Sequence, residues 1–227
     1  MAKYKYLLFD VDDTLFDFHK AEEKSFYQVM NEFGIKADDR MLHDYSLFNK
    51  SCWEEFQEGR NDQKSIVVKR FKLLLDHYGY VRDATAMNEA FLRAVSQNTC
   101  LFPESYEVCK RLSKTHALYM ITNSVPSVHR GRMEHNVLKD FFRDMFISGE
   151  IGYQKPSPEF FDAVFSTVEG MEKKDTLVIG DSPTSDLQGA NACNIDCCFV
   201  NRSGISLPES ISATYTVSDL NGLFDIV

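Results

Sequence analysis

The chain has 227 residues and a formal net charge of −9, from 34 acidic and 25 basic side chains. An acidic surface repels a polyanion, so a nucleic-acid partner is disfavoured, although a metal ion and one lysine can reverse the sign locally. Apolar residues make up 44% of the sequence, which excludes wholesale disorder and provides for a sizeable core in one medium domain with an insertion, or in two modest domains.

The chain begins MAKYKYLLFDVDDTL. Its apolar stretch is too short for a signal segment and runs at once into acidic residues. No stretch approaches the roughly 18 apolar residues that a membrane span requires. The expectation is a soluble, cytoplasmic protein with no membrane partner.

Residues 6–11 form a nearly continuous apolar run, as a strand covered on both faces should. From 16 to 98 the rhythm changes. The period there is helical, with candidate helices over 21–33, 41–58, 63–77 and 84–97, punctuated by Gly34, Gly59 and Gly79. Helix and strand then alternate. Helices are expected over 105–112, 126–136, 158–168 and 185–193, and strands over 117–122, 146–148, 176–180 and 197–200, with a weaker one at 214–217. That alternation predicts an α/β fold with a doubly wound, Rossmann-like parallel sheet. The sheet domain would comprise residues 1–15 and 99–227, with an α-helical module at 16–98 inserted after the first strand.

Six cysteines occur, with no CxxC pair and no histidine at zinc-site spacing. They sit mostly in apolar runs and read as free buried thiols of a reducing compartment.

Four clusters carry possible chemistry, and each falls at or just beyond a strand's C-terminal end or in a loop entering a helix, where open α/β sheets bind ligands. The first is Asp10-Val11-Asp12-Asp13-Thr14. Carboxylates this dense are repulsive when buried, and a hard cation such as magnesium is the natural remedy. Asp10 and Asp12 share one side of a strand, so one could attack while the other manages protons. A solvated acidic turn would give the same sequence. The second is Thr122-Asn123-Ser124, whose donors could hold phosphate oxygens or merely shape a turn. The third is Lys155 in a loop stiffened by Pro156 and Pro158, either a placed cation or a solvated lysine. The fourth, Gly180-Asp181-Ser182 with Asp186, supplies two more carboxylates, or an Asp-Ser turn and helix cap.

In order and spacing, the four together resemble the haloacid dehalogenase-like hydrolase superfamily, over essentially the whole chain. The first cluster is similar to that family's DxDxT box, Thr122 to its Ser/Thr site, Lys155-Pro156 to its lysine loop, and Asp181 with Asp186 to its acidic motif. The helical insertion resembles the family's first class of cap. Asp13 stands where many members have glycine, a variant similar to a branch that includes nucleotide monophosphatases.

The resemblance implies a magnesium-dependent phosphatase acting on a small phosphorylated metabolite. Asp10 would be the nucleophile, forming an aspartyl-phosphate, and Asp12 the general acid and base. Magnesium would be held by Asp10, by Asp12 through its main-chain carbonyl, and by Asp181, with Asp186 orienting waters or Lys155. Lys155, Thr122 and Asn123 would bind the phosphoryl oxygens. A nucleoside 5'-monophosphatase leads. A sugar-phosphate phosphatase or phosphosugar mutase is the alternative, and a non-catalytic regulatory domain is disfavoured by the intact acidic set. Phe16, Phe18, His19, Trp53 and Phe56 could read the rest of the substrate, but at helical spacing such residues usually pack a core. The sequence does not give the oligomeric state.

Overall fold

The apolar run opening at Tyr6 does become a strand, though it ends at Phe9 and not at 11, and it lies near the middle of a six-stranded, wholly parallel sheet. A computed structural model describes residues 3–134 and 136–227. The strands are β1 (Tyr6–Phe9), β2 (Ala117–Thr122), β3 (Phe142–Ile147), β4 (Thr176–Gly180), β5 (Asp196–Val200) and β6 (Tyr215–Val217), in the spatial order β3-β2-β1-β4-β5-β6. The chain divides into two compact units, Met1–Asp17 with Leu101–Pro126 and Met133–Val227, and Phe18–Cys100 with Ser127–Arg132.

In the sheet unit, side-chain parity decides which core each strand residue joins. Leu7, Phe9, Leu118, Met120, Leu177 and Ile179 pack on one face with Val108 and Leu112 of helix α5 (Ser105–Leu112). Tyr6, Leu8, Tyr119, Ile121 and Val178 pack on the other face, with Phe160, Phe161 and Val164 of helix α8 (Pro158–Thr167). Burial on both faces explains why these strands read as unbroken apolar runs. Phe16 is 1% exposed and belongs to the first of these cores.

The outlying strand differs from expectation. β3 begins at Phe142, not at 146, because its first half is partly exposed and polar (Arg143, Asp144), as an edge strand can be. Ser148 leaves the strand and opens a four-residue helix, α7 (Ser148–Ile151). The helix expected over 126–136 is described as α6 (Pro126–Glu134), and His135 lies outside the described residues. The helix expected over 185–193 is a wide π turn, Pro183–Leu187, running into α9 (Gln188–Ala192).

The second unit holds helices α1 (Phe18–Glu32), α2 (Asp39–Gln57), α3 (Gln63–Tyr78) and α4 (Ala84–Gln97). Phe26, Tyr45, Phe71 and Phe91 form its aromatic centre, with ring centroids 5.0 to 5.6 Å apart. Asp38, Asp62 and Asp83 cap α2, α3 and α4 by accepting from first-turn amides, and α3 ends at Gly79, whose φ of 70° suits a residue without Cβ. Among the described residues the six cysteines are free, and no helix is long and apolar enough to cross a membrane.

Asp83 accepts from two amides, Thr85 at 2.8 Å and Ala86 at 3.2 Å. Replacing it with alanine strands both donors. Asp83→Ala should lower unfolding stability by about 1 kcal/mol in a urea titration, and a midpoint equal to wild type would deny the cap its role.

Candidate active site

Register places the site. Phe9 pairs with Met120 on one side and with Ile179 on the other. One residue further along lie Asp10, Ile121 and Gly180, level with one another at the C-terminal edge. Asp10 continues the ladder by donating its amide to Ile179 O at 2.8 Å. The chain then turns tightly, with Leu15 N and Phe16 N both donating to Val11 O and Asp13 N donating to Phe16 O. Asp13 sits at φ 62°, a left-handed conformation that costs most residues about 1 kcal/mol and that aspartate tolerates better than most. This is the position where the resembling family often has glycine.

Lys155 reaches this edge from the loop after α7. Its side chain is buried, and the ammonium donates to Asp186 Oδ1 at 2.6 Å, Asp10 Oδ1 at 2.7 Å and Ile121 O at 3.0 Å. Three donors thus meet three acceptors, the condition under which a buried ammonium is tolerable. Asn123 fixes the lysine's main chain. Its Nδ2 donates to Lys155 O at 2.7 Å, and its Oδ1 accepts from Lys155 N at 2.8 Å. The side chain expected to face phosphate is therefore spent, in large part, on clamping Lys155. The Lys155–Pro156 peptide is cis.

Asp186 comes from the π turn after β4. It is fully buried, and while one oxygen holds Lys155 the other accepts from Ser182 N at 3.1 Å. Gly180 makes the space, since a Cβ there would lie 2.2 Å from Asp186 Oδ2. Asp181 accepts from Thr14 Oγ1 at 3.1 Å. Oxygens of Asp10, Asp181 and Asp186 come within 4.8 Å of one another. Thr122 is the buried last residue of β2, and Asp12 is half-buried in the turn.

The cluster carries an excess of negative charge. Burial opposes the charge on Lys155, but Asp10 and Asp186 outweigh it and hold the ammonium above its ordinary pKa. Burial first, with Asp186 and Asp12 adding repulsion, pushes the Asp10 carboxyl up to about 7 even against the lysine. Burial and the charge of Asp10 likewise raise Asp181. Hard, anionic oxygens in surplus suit a divalent cation such as magnesium. Both Asp186 oxygens already have donors, so Asp10 and Asp181 are the side chains best placed to hold the ion. The Asp12 carboxylate is not in this close trio.

Sequence reasoning did not anticipate the hydroxyl of Thr14 on Asp181, the space vacated at Gly180, or Arg202, which donates to Thr14 O at 3.1 Å. The glycine before Asp181 was the one legible signal.

The family profile of haloacid dehalogenase-like hydrolases matches residues 7–200. The HAD-hydrolase YfnB of Bacillus subtilis is 32% identical over 100% of this chain and 97% of its own. A crystal structure of YfnB bound to magnesium superposes with a TM-score of 0.94, covering 99% of this chain and 98% of that one. The pyrimidine 5'-nucleotidase PynA of Streptococcus pneumoniae is 30% identical, with 98% of this chain and 94% of PynA covered. The pyrimidine 5'-nucleotidase YjjG of Escherichia coli is 25% identical, with 97% and 96% covered. The chain belongs to the haloacid dehalogenase-like hydrolase family.

Gly180→Ala drives a methyl into a carboxylate that cannot retreat without losing Lys155. It should destabilise by about 1–3 kcal/mol or more, and an unchanged denaturation midpoint would contradict the crowding. In chelator, the raised Asp10 pKa stabilises the fold below 3.8, and that contribution is lost as pH rises toward about 7. The melting temperature should therefore fall through this window, and less steeply in Asp10→Asn. Magnesium should raise it more at pH 7 than at pH 5, because the ion binds ionised carboxylates. Equal slopes in wild type and mutant would refute the assignment.

Proposed function

We propose that this member of the family is a magnesium-dependent phosphomonoester hydrolase that works through an aspartyl-phosphate on Asp10. One observation carries the reading. A buried ammonium is bonded at once to Asp10 and Asp186, beside Asp181, so the Asp10 carboxylate is held in one orientation by a fixed positive charge.

Asp10 attacks phosphorus. An Asp10 oxygen–phosphorus bond forms as the ester phosphorus–oxygen bond breaks, and Asp12 donates its proton to the departing alkoxide. Water then attacks the aspartyl-phosphate, Asp12 takes the water's proton, and inorganic phosphate leaves with Asp10 restored. A divalent ion held by Asp10, Asp181 and the Asp12 carbonyl would neutralise phosphoryl charge and shield Asp10 from repelling its substrate. Lys155 supplies fixed positive charge to the same oxygens, and Thr122 donates a hydroxyl to one of them. Asn123 acts chiefly by holding Lys155, and Asp186 by orienting it. Asp12 favours phosphate over halide chemistry, because a departing halide needs no proton.

Nucleoside 5'-monophosphates are the proposed substrate class, supported by the full-length similarity to PynA and YjjG. The helical unit, Phe18–Cys100 with Ser127–Arg132, would serve as the cap that reads the part of the substrate beyond phosphate.

Turnover of nucleoside and sugar monophosphates with magnesium and with chelator tests this reading. Activity should vanish in chelator and favour nucleotides, whereas a preference for sugar phosphates would remove the nucleotidase and keep the phosphatase. Asp10→Asn should be inactive yet folded, and a phosphorylated chain recovered from that mutant would end the nucleophile's role. Asp12→Asn should slow hydrolysis by about 10²–10⁴-fold with substrate binding retained. A near wild-type rate would take Asp12 out of the reaction.

A further inference from the structure

Arg202 lies in the loop after β5 and belongs to none of the four motif clusters. Its guanidinium carbon sits 3.6 Å from the centroid of the Phe102 ring. Its Nη2 lies 2.7 Å from Glu104 Oε1 and donates to the main-chain carbonyl of Thr14 at 3.1 Å. Thr14 in turn donates its hydroxyl to Asp181 at 3.1 Å. A continuous chain of contacts thus runs Glu104–Arg202–Thr14–Asp181, within one compact unit.

The carbonyls of the motif turn show why this contact stands apart. Val11 O receives Leu15 N and Phe16 N, and Phe16 O receives Asp13 N, all from within the turn. Leu15 O receives Phe102 N at 3.2 Å and Ser105 Oγ at 2.7 Å, from the segment that opens α5. Thr14 O receives a charged side chain brought from the far end of β5. It is the carbonyl of the residue whose hydroxyl orients Asp181, and it lies two residues from Asp12. A charge-assisted bond is firmer than a neutral one, so it pins this point of the turn.

We propose that Arg202 is a positioning residue for hydrolysis, holding Thr14 so that Asp181 and Asp12 keep their places around the ion and the phosphoryl group. The inference rests on the phosphatase reading above. Arginine suits the task for a physical reason. A planar guanidinium can stack on Phe102 while it donates one hydrogen bond to Thr14 O and pairs its charge with Glu104. Lysine cannot stack and donate in that way.

The test compares Arg202→Met, Arg202→Lys, Thr14→Val and the Arg202→Met/Thr14→Val double variant. Four quantities are measured: melting temperature, kcat and KM with uridine 5'-monophosphate and with p-nitrophenyl phosphate, and magnesium binding by calorimetry without substrate. Arg202→Met should lower kcat by about 10–100-fold with KM changed less than about twofold, and should weaken magnesium binding about tenfold. Arg202→Lys should recover only part of both losses. The double variant should be little worse than either single one, because both act through one link. Wild-type kcat and magnesium affinity in Arg202→Met, with only the melting temperature lowered, would reduce Arg202 to a structural brace and overturn the proposal. Losses that multiply in the double variant would overturn it too. If wild type itself hydrolyses no phosphate ester, the phosphatase reading fails on its own, and the calorimetry still decides whether Arg202 reaches the ion site.

Discussion

A lysine ammonium taken wholly out of water must be met on every side, and the arrangement around Lys155 follows from that requirement. Desolvating one charge costs several kcal/mol, and only well-made bonds to oppositely charged or strongly polar groups offset it. Here the acceptors are Asp10, Asp186 and the carbonyl of Ile121, at 2.6 to 3.0 Å. They come from the ends of β1 and β2 and from the turn after β4, and the lysine itself comes from a fourth segment. None is near another in sequence, since the lysine lies 145 residues from Asp10 and 31 from Asp186. The ion pairs require β1, β2 and β4 to lie side by side in register, and they disfavour any slip of β1 against β2 or β4. Fold and site therefore depend on the same contacts.

The surrounding residues serve that centre in distinct ways. Gly180 contributes by lacking a side chain, because Asp186 occupies the volume a Cβ would fill. Ser182 gives a main-chain amide to the second oxygen of Asp186, so that carboxylate has no freedom left to follow a moving ligand. Asn123 closes two bonds on the Lys155 backbone and fixes the base of the side chain while Asp10 and Asp186 fix its tip. The lysine is held at both ends, which is the pre-organisation that electrostatic stabilisation of a developing charge demands.

How far the sequence revealed this depends on how local each cause was. The central strands were legible because burial on both faces leaves few polar residues in each run. Helices α4 and α5 were legible to the residue, since helical periodicity and their boundaries coincide. β3 was half-read because an edge strand tolerates Arg143 and Asp144, which broke the apolar signal. The π turn at Pro183–Leu187 was read as ordinary helix from 185 onward, because a one-residue widening leaves no mark in composition. At the site, Asp10, Asp181 and Asp186 stood out as carboxylates following apolar strands, and Lys155, in its proline-stiffened loop, gained meaning only beside them. The clamp by Asn123 did not, because the polar residue at a strand end is the same whether it faces a ligand or a loop 32 residues away. Arg202 was invisible for the same reason, as its partners are set by where the loop after β5 meets the turn after β1.

The charge balance leaves one apparent conflict, and its resolution links metal binding to chemistry. A nucleophilic carboxylate must be ionised, yet burial and two neighbouring carboxylates push Asp10 up to about 7 despite the lysine at 2.7 Å. One ammonium among three carboxylates is too little positive charge, and Asp186 shares it. A second cation between Asp10 and Asp181 would favour the ionised form of both, as an opposite charge at such a distance does. The same ion would reduce the repulsion met by an incoming phosphate, which a net negative pocket would otherwise exclude. In the proposed reaction Asp10 and Asp181 would hold such an ion, whose charge would favour the ionised nucleophile and lessen the repulsion of the substrate. Asp186, with both oxygens already engaged, serves by keeping the ammonium in place while Asp10 changes partners. The bonds from Ser182 and Lys155 engage both oxygens of Asp186 and so favour Asp10 and Asp181 over it as ligands for such an ion.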